Sequence, residues 1–546
     1  MSAADPLGEL RASVYEAAAA VSGDHGLPVP PTLEQPKRAG QGDYSTNAGM
    51  VLGPALGAPP REIAERVGSE LAHRLGPALD RTEVAGPGFL NVFLSDQWHR
   101  HAVAAMLAAG EPFGADGAEA PERILVEFVS ANPTGPLVAA SGRHAAYGDA
   151  LARILAFHGH AVQREYYFND AGSQIRLLGE SVRARALGAA VPGGGYEGDY
   201  VAELAEEIPG AAESDPADVA AQAVQLLFAQ IKVTLARYGV HFDSFFSERV
   251  LHEGSPSAVQ RALDRLVEGG HAYRSEGALW LRSTTFGDDK DRVLERSSGE
   301  PTYLAADVAY LLNKNERGFE RQVNPMGADH HGYAVRLKAA FAALGGDPDR
   351  IEVPLLQFVH LVEGTQKAAM SKRRGEFVTL DELLDEIGVD ATRFFMLQRS
   401  QDRTVDLDVD LARKESSENP VYYVQYAHAR IASVLGRAGA ERVTGALAAV
   451  AEWETGELVP AERDLIKQLI GFPEEIAEAA ERRAPHRIAT YALELAQSFT
   501  AFYRDCRVVG ATPEAVESFR IALSVAAKQT IAAALGLLGV SAPEAM

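Results

Sequence analysis

The segment of residues 124–168 constrains the fold more than any other part of this sequence. Residues 124–129, which are apolar except for Glu127, have a pattern typical of a buried strand, and the loop of residues 130–142 ends it because prolines and glycine cannot continue a strand ladder. Apolar residues then recur at helical spacing from Ser141 to Gly159, and residues 162–168 have a second strand pattern. This order predicts one half of a doubly wound parallel sheet. Because ligands bind such sheets at the carboxyl ends of strands, residues 130–142 are the first candidate site.

The length of 546 residues predicts three or four domains, at about 150 residues per domain. Residues 1–110 indicate a small α/β unit, and residues 120–400 indicate the parallel-sheet domain, with a largely helical insertion at about 170–300. Residues 410–546 carry alanine and leucine at helical spacing, which predicts an all-α domain. The predicted fold class is a multidomain α/β protein.

The charge balance limits how this protein can bind a nucleic acid. The sequence has 52 Lys and Arg residues against 75 Asp and Glu residues, which gives a net charge of −23. That balance excludes binding through bulk positive charge. A nucleic-acid partner therefore requires basic residues that are concentrated on one face of an acidic body.

Three observations predict a cytoplasmic location without membrane contact. Cys506 is the single cysteine, which excludes an intrachain disulfide framework and a thiolate zinc site. Residues 1–20 lack the pattern of a secretory signal. The best apolar run, Ile531 to Val540, is far shorter than the ~18 residues that a spanning helix needs.

Two loops carry polar groups that suit a nucleotide. Met370, Ser371 and Lys372 stand in a basic loop, where cations can offset the charge of a polyphosphate; a solvated basic turn would have the same composition. In the other loop, Asp329 at a strand end can accept hydrogen bonds from ribose hydroxyls, with His330 beside it. Adjacent histidines generally point apart and no third ligand is near in sequence, so no metal site is predicted there.

Residues 419–430 are rich in aromatic side chains. On a helix, Tyr422, Tyr426 and Arg430 have the spacing i, i+4, i+8 and share one face. Such a face can stack on bases and contact phosphates, or it can pack against another domain. Both interpretations remain open at this point.

Together, these features resemble the arginyl-tRNA synthetases, which are class I ligases with a Rossmann-type catalytic domain. The resemblance also implies a small N-terminal domain of the tRNA-elbow-binding type and an all-α C-terminal domain of the anticodon-binding type. It runs essentially from end to end of the chain. The motifs that carry it follow the family's order, at residues 42–47, 86–91, 126–136, 164–172, 286–292, 302–307, 327–332, 370–375 and 419–430.

The resemblance implies a function for individual residues. The arginine pocket would consist of Glu127, Ser130, Asn132, Tyr303 and Asp307. Its two carboxylates can receive the guanidinium and the α-ammonium group, while the amide and the phenol fix the orientation. ATP would contact Gly327, Asp329, His330, Met370, Ser371 and Lys372. The tRNA would contact Tyr44, Asn47 and Phe89 at its elbow, and Tyr422, Tyr426 and Arg430 at its anticodon stem and loop.

One signature departs from the family's pattern. Directly after Leu137 the family usually has His-x-Gly-His, but this sequence has Val138-Ala139-Ala140-Ser141. Both imidazoles that stabilise the ATP phosphates in the family are missing. Only Ser141, Arg143 and backbone N–H groups at the helix start remain for this role, beside Ser371 and Lys372 of the basic loop. The loss of each such donor typically lowers the rate ~10²–10³-fold.

Two smaller departures also concern the ATP side of the site. Ala369 stands where the second signature of the family usually has a basic residue. The strand at residues 321–326 is more polar than the family's apolar strand, and a proline interrupts it.

Three functional hypotheses follow. The first is ATP-dependent ligation of arginine to tRNA(Arg) through arginyl-adenylate, at a reduced rate or with substitute phosphate donors. For this enzyme the resemblance implies ATP with Mg²⁺ as substrate and counter-ion, no metal bound by the protein itself, and a monomer. The second is a paralogue that performs tRNA-dependent aminoacyl transfer to a small guanidino metabolite. The third is a non-catalytic regulator that binds tRNA or arginine.

Overall fold

The structure is a computed structural model of the 546-residue chain. It describes residues 5–36, 38, 40–363, 366–367, 378–449, 453 and 456–546. Met370, Ser371 and Lys372 of the predicted nucleotide loop, and the nearby Ala369, lie outside the described residues.

Within these residues the chain forms twenty α-helices. Their bounds are α1 (Pro6–Ser22), α2 (Ala48–Leu56), α3 (Pro60–Leu75), α4 (Asp96–Ala109), α5 (Ala139–Phe157), α6 (Ser173–Ala186), α7 (Asp199–Glu207), α8 (Pro216–Arg237), α9 (Arg249–His252), α10 (Ala258–Glu268), α11 (Tyr303–Glu316), α12 (His331–Ala343), α13 (Leu380–Leu397), α14 (Val409–Ala412), α15 (Pro420–Ala438), α16 (Ala440–Ala448), α17 (Pro460–Ile470), α18 (Phe472–Glu481), α19 (His486–Asp505) and α20 (Glu514–Leu538).

The same part of the chain forms seventeen strands. Their bounds are β1 (Leu33–Glu34), β2 (Tyr44–Thr46), β3 (Leu79–Ala85), β4 (Phe89–Leu94), β5 (Arg123–Glu127), β6 (Ala161–Phe168), β7 (Ser244–Ser247), β8 (Ala272–Ser275), β9 (Ala278–Leu281), β10 (Arg292–Glu295), β11 (Arg321–Val323), β12 (Met326–Gly327), β13 (Ile351–Glu352), β14 (Leu355–Leu356), β15 (Val359–Glu363), β16 (Gln366–Lys367) and β17 (Val405–Asp408).

The central sheet is parallel and has the order β13-β11-β5-β6-β7. The predicted strand–loop–helix–strand unit is confirmed, because β5 and β6 pair in parallel and α5 connects them. Two helical turns of apolar residues on α5, including Leu151, Ile154 and Leu155, are fully buried against this sheet and against the C-terminal helices. The first turn of α5 therefore faces the carboxyl ends of the strands, where ligands bind in such folds.

The polar composition of β11 has a structural explanation. Arg321 forms ion pairs with Glu122 (2.6 Å) and Glu352 (2.8 Å), and Arg483 also binds Glu352, at 2.6 Å. Since Arg483 lies between α18 and α19, this network links the sheet to the C-terminal helices. The strand then ends before Pro325, and β12 pairs with β14 in a separate two-stranded ladder.

The N-terminal residues form an antiparallel sheet of order β1-β2-β4-β3, with α2 and α3 packed on it and α1 packed against these two helices. This unit has an apolar core of its own, which extends from Leu7 to Leu94. The sheet and helices agree with the small α/β unit that the sequence predicts at this end of the chain.

The region between β6 and α11 contains both helices and strands. Helices α6, α7 and α8 pack together over their own apolar core, as the helical composition predicts. The chain then adds β7 to the edge of the central sheet and forms the antiparallel sheet β10-β9-β8. These strands have four residues each, which is too short for a strand pattern to stand out in the sequence.

The C-terminal part is helical from α15 to α20 in the described residues, as predicted. Its apolar core is continuous with the core around α5 and the central sheet. In the part of the chain that the structure describes, α8 and α20 are long and apolar enough to cross a membrane by composition alone. Both pack within the protein, α8 in the insertion core and α20 in the C-terminal core.

Candidate active site

A cavity of about 680 Å³ lies at the carboxyl ends of β5 and β6, beside the first turn of α5. Its wall brings together nine residues that the sequence predicts for the site: Glu127, Ser130, Asn132, Ser141, Tyr303, Asp307, Gly327, Asp329 and His330. They come from four separate stretches of the chain: β5 with the loop after it, α5, α11, and β12 with the turn after it. The tertiary fold therefore assembles them.

One end of the cavity is acidic, and its first carboxylate belongs to Glu127 at the end of β5. Glu127 is buried, and its Oε2 lies 2.5 Å from Nζ of the equally buried Lys314. The hydroxyl of Ser130 donates a hydrogen bond to Oε1 of Glu127 at 3.1 Å. Val129 and Ser130 have positive φ angles of 65° and 42°, a strained backbone that turns the chain sharply after the strand. Lys314 therefore neutralises the first carboxylate before any ligand arrives.

Asp307, on the second turn of α11, is the second carboxylate. It accepts a hydrogen bond from the hydroxyl of Tyr333. Burial, with the nearby charges of Glu127 and Glu248, raises the pKa of Asp307 to about 7. A bound cation would favour the ionised form and reverse this shift, so Asp307 is suited to receive a positively charged group.

Glu248 is a third carboxylate in the cavity wall, and sequence reasoning missed it. It follows the edge strand β7, and one of its oxygens accepts a hydrogen bond from the hydroxyl of Tyr167 at 2.8 Å. The other oxygen lies 3.6 Å from the His252 ring. Only the placement of β7 beside β6 could have pointed to Glu248, and no motif in the sequence indicates it.

Asn132 and Tyr303 flank the acidic end. The amide of Asn132 donates to Gln174 at 3.0 Å and accepts from the backbone N–H of Asn169 at 3.2 Å, which holds it in place. Tyr303 begins α11, and 63% of its surface is exposed, so its ring stands open to the cavity and to solvent. Both residues line the cavity.

The other end of the cavity is formed by the start of α5 and by the loop after β12. Ser141 lies in the first turn of α5, where helix N–H groups and the helix dipole favour an anion. Gly327 ends β12, and the carboxylate of Asp329 follows it at 3.6 Å from the ring of His330. This end thus combines an anion-attracting helix terminus with a hydrogen-bond acceptor for hydroxyl groups.

The structure corrects the prediction for Arg143, which is not part of the cavity wall. Its side chain is buried, and it donates to the backbone carbonyls of Gln357 (2.6 Å) and Ser400 (2.9 Å). Burial also lowers its pKa to about 10. The sequence places Arg143 two residues after Ser141, but on a helix this spacing directs the two side chains to different faces.

The histidine that does face the cavity from α5 is His144, which sequence reasoning missed. It lies three residues after Ser141, which brings it to the same face of the helix. The spacing alone could have indicated it.

In the described residues, no group of three or more His, Cys, Asp or Glu side chains could hold a metal ion.

The three residues predicted to contact tRNA in the N-terminal unit differ in how exposed they are. Tyr44 is buried in the N-terminal core with 2% of its surface exposed, so the prediction that it contacts a partner is wrong in this conformation. Asn47 accepts a hydrogen bond from the backbone N–H of Thr32 at 2.9 Å and precedes α2. Phe89 is 38% exposed at the start of β4 and remains free to contact a partner.

The predicted aromatic face of α15 is present. The rings of Tyr422 and Tyr426 stack with centroids 6.1 Å apart, and the guanidinium of Arg430 lies 4.6 Å from the Tyr426 ring centroid. Tyr426 is 40% exposed. Ring, ring and guanidinium thus form a continuous row on one helix face, with its middle member open to solvent.

Comparison with known families agrees with this architecture. The N-terminal domain of arginyl tRNA synthetases matches residues 8–94, the catalytic domain of class I (R) tRNA synthetases matches residues 207–431, and the DALR anticodon binding domain matches residues 424–546. The catalytic-domain match begins after the altered signature at residues 138–141. The parallel sheet, the cavity at its strand ends and the helical C-terminal domain define a class I aminoacyl-tRNA synthetase.

Individual relatives make the assignment more specific. An arginine–tRNA ligase from Frankia alni is 44% identical over 563 aligned residues, which cover 100% of both chains. The arginyl-tRNA synthetase of Thermus thermophilus is 25% identical with a TM-score of 0.76, over 98% of this chain and 100% of that one. That of Plasmodium falciparum, at 15% identity and a TM-score of 0.78 over 100% of both chains, shows the fold alone. The chain belongs to the arginyl-tRNA synthetase family, which confirms the resemblance.

Proposed function

We propose that this protein attaches arginine to tRNA(Arg) at the expense of ATP. The observation that carries the proposal is the two-ended cavity, which has three carboxylates at one end and a helix N-terminus at the other. An amino acid with two cationic groups suits the acidic end, and a polyphosphate suits the end with the helix N-terminus. The full-length relationship to a ligase of this name supports the same substrates.

Arginine is bound by the acidic end. Because Lys314 already neutralises Glu127, the two carboxylates left for the ligand's two cations are Asp307 and Glu248. Asn132 and Tyr303 orient the ligand, and Ser130 holds Glu127 in position. The guanidinium group can form two parallel hydrogen bonds to a carboxylate, which the compact ammonium group of lysine cannot reproduce.

ATP is bound by the other end, with Ser141 and the helix start at the phosphates and with Gly327, Asp329 and His330 at the nucleoside. Mg²⁺ enters with ATP as its counter-ion. The arginine carboxylate attacks the α-phosphorus and pyrophosphate leaves, which gives arginyl-adenylate. A terminal hydroxyl of the tRNA then attacks the arginyl carbonyl, and AMP leaves. The cavity holds both substrates side by side, which supplies the proximity that this reaction needs.

The tRNA contacts lie outside the cavity. Phe89 and Asn47 of the N-terminal unit are proposed to meet the tRNA elbow, and the row Tyr422, Tyr426 and Arg430 its anticodon stem and loop. Stacking on exposed rings and contact with guanidinium groups are common means of RNA recognition. We further propose that the protein is a cytoplasmic monomer that does not bind membranes. No observation favours the transferase or the regulator hypothesis.

The experiment is charging of total tRNA with labelled arginine by the purified full-length chain. The proposal predicts acid-precipitable arginine that requires ATP and tRNA, with no incorporation of labelled lysine. An Asp307→Asn variant should charge much less than wild type, whereas Asp349→Asn, an exposed change outside the cavity, should charge equally. Absence of ATP-dependent arginylation at high enzyme concentration would overturn the proposal.

A further inference from the structure

The altered signature leaves one histidine of α5 in the cavity wall. His144 lies four residues after Ala140 and three after Ser141, and all three line the cavity. On a helix, this spacing places the imidazole on the same face and about 5 Å further along the axis from the helix start. Phosphates are drawn to the helix start itself, so His144 stands beyond them, on the side where Asp329 also lines the wall.

The hydrogen bonding of His144 decides what it can offer a ligand. The ring of His144 faces the backbone of Pro325, which also lines the cavity, and it can only donate its N–H to the carbonyl there because proline has no N–H. Burial, followed by the charge of Arg143, lowers the pKa of His144 to about 4, against opposing effects of the Pro325 bond and Asp329. The ring is therefore neutral at pH 7, and its second nitrogen is a bare acceptor.

The groups of ATP differ in what they can give to such an acceptor. Phosphate oxygens are ionised at pH 7 and only accept, so a neutral ring whose single N–H is directed to the Pro325 carbonyl gains nothing from them. The adenine amine and the ribose hydroxyls are the donors of ATP. A bare nitrogen in the wall beside Asp329 is complementary to these groups.

We propose that His144 contacts the adenosine part of ATP, with its free ring nitrogen accepting a hydrogen bond from the adenine amine or a ribose hydroxyl. The inference rests on the proposed function for the identity of the nucleotide. His144 is thus a nucleoside-recognition residue and does not substitute for the two lost imidazoles at the phosphates.

The test is equilibrium dialysis of labelled ATP against the full-length chain, which measures binding without requiring arginylation. His144→Leu should weaken ATP binding about three- to tenfold, the usual effect of losing one hydrogen bond to an uncharged group. His144→Gln should bind within about twofold of wild type, since its amide can donate to Pro325 and its carbonyl can accept. His101→Leu, at an exposed position of α4, is the matched control and should bind as wild type does.

Nucleotide analogues identify the donor and guard against a folding effect. The analogues are 2′-deoxy-ATP, 3′-deoxy-ATP and purine riboside triphosphate, each of which lacks one of the possible donors. One of them should bind wild type about three- to tenfold more weakly than ATP does. The same analogue and ATP should bind His144→Leu equally well. Equal losses in both proteins for every analogue would overturn the inference. A second result would also overturn it: ATP binding that weakens from pH 6 to pH 8 in wild type but not in His144→Leu. That difference would mean that a charged imidazole of His144 contacts a phosphate.

The outcomes separate this inference from the proposed function. If wild type binds ATP with the expected analogue pattern but does not arginylate tRNA, the proposed function fails and the assignment of His144 holds. If wild type binds no ATP, the inference itself is overturned.

Discussion

Asp307 shows most clearly how burial shapes the chemistry of single residues here. Its carboxyl group lies close to Glu127 and Glu248, and burial with these charges raises its pKa to about 7. Burial and the neighbouring charges disfavour the ionised carboxylate of Asp307 only while the cavity holds no cation. Arginine would supply that cation, so ligand binding and deprotonation of Asp307 are linked.

Arginine affinity should therefore increase as the pH rises from 6 to 8. Below about pH 7 the carboxyl must first lose a proton, which weakens binding by up to about tenfold per pH unit. Asp307→Asn should weaken binding by ~2 kcal/mol or more and flatten this profile. Calorimetry of arginine binding at pH 6, 7 and 8 checks both effects, with Asp349→Asn as control. Unchanged affinity in the variant would remove Asp307 from the arginine pocket.

The same linkage acts on stability in the absence of arginine. A carboxyl whose pKa is raised from its ordinary value to about 7 binds more protons in the folded than in the unfolded protein between about pH 4 and 7. The contribution of Asp307 to stability is therefore present below about pH 4 and is lost as the pH rises toward 7. Stability and arginine affinity thus change in opposite directions over this range.

The ion pair of Lys314 with Glu127 is the second residue-scale feature with a measurable consequence. Both groups are buried, so removal of the lysine leaves an uncompensated charge. Lys314→Met should lower the free energy of unfolding by about 3–5 kcal/mol. Urea unfolding followed by circular dichroism measures this loss. Lys414→Met breaks an exposed pair with Glu418 and should leave the urea midpoint unchanged. An unchanged midpoint for Lys314→Met as well would show that the buried pair does not contribute to stability.

At the scale of elements, the start of α5 carries the residues 138–141 that depart from the usual signature of the family. The N-terminal end of this helix has the helix dipole and the hydroxyl of Ser141, but it has no imidazole at positions 138 or 141. Arg143, on the same helix, does not join the predicted site because its side chain donates hydrogen bonds to two backbone carbonyls away from the cavity.

Restoring the signature tests how far this helix end limits the reaction. The triple change Val138→His, Ala140→Gly, Ser141→His should raise the rate of tRNA-dependent arginylation about 10²-fold or more, because two donors to the phosphates return. Single-turnover formation of arginyl-tRNA measures it, and Ala139→Gly on the same turn serves as control. Equal rates in wild type and triple variant would show that other groups already supply the lost stabilisation.

Helix α15 gives a second test at this scale. Tyr426→Ala removes the exposed middle ring of the row and should weaken tRNA binding by ~1–3 kcal/mol if that ring stacks on a base. Tyr15→Ala, at an exposed tyrosine of α1, is the matched control. Gel-shift titration decides: unchanged tRNA affinity would favour domain packing as the role of this face.

What the sequence could predict depends on how local the signal is. The unit β5–α5–β6 and the row on α15 follow from periodicity within one segment, and both are present. Glu248 lines the cavity because β7 pairs with β6, and Lys314 of α11 reaches Glu127 at the end of β5, which are long-range arrangements with no local signal. Tyr44 stands in a family motif, but a motif does not reveal burial.

At the scale of the whole molecule, an acidic protein must bind tRNA, which is also negatively charged. The net charge of −23 repels tRNA at long range, so binding depends on local basic and aromatic surfaces. The catalytic sheet and the C-terminal helices share one apolar core, and the Arg321–Glu352–Arg483 network joins them as well. These two domains should therefore present their tRNA surfaces in a fixed relation.

The salt dependence of tRNA binding follows from this charge distribution. Between 50 and 200 mM salt, affinity should fall by more than about tenfold, since local phosphate contacts release counterions. Filter binding over this range measures the slope. Salt-independent binding would indicate recognition without phosphate contacts, and no binding even at 50 mM would exclude tRNA as a partner.

The most direct test of the central claim is the stoichiometry of ATP use. Wild-type protein is incubated with ATP, arginine and tRNA, and AMP and arginyl-tRNA are both counted. Ligation through arginyl-adenylate predicts one AMP for each arginyl-tRNA formed, with neither product when arginine or tRNA is left out. Arginyl-tRNA without AMP, or AMP release that does not depend on arginine, would contradict the claim that this cavity joins arginine to tRNA with ATP.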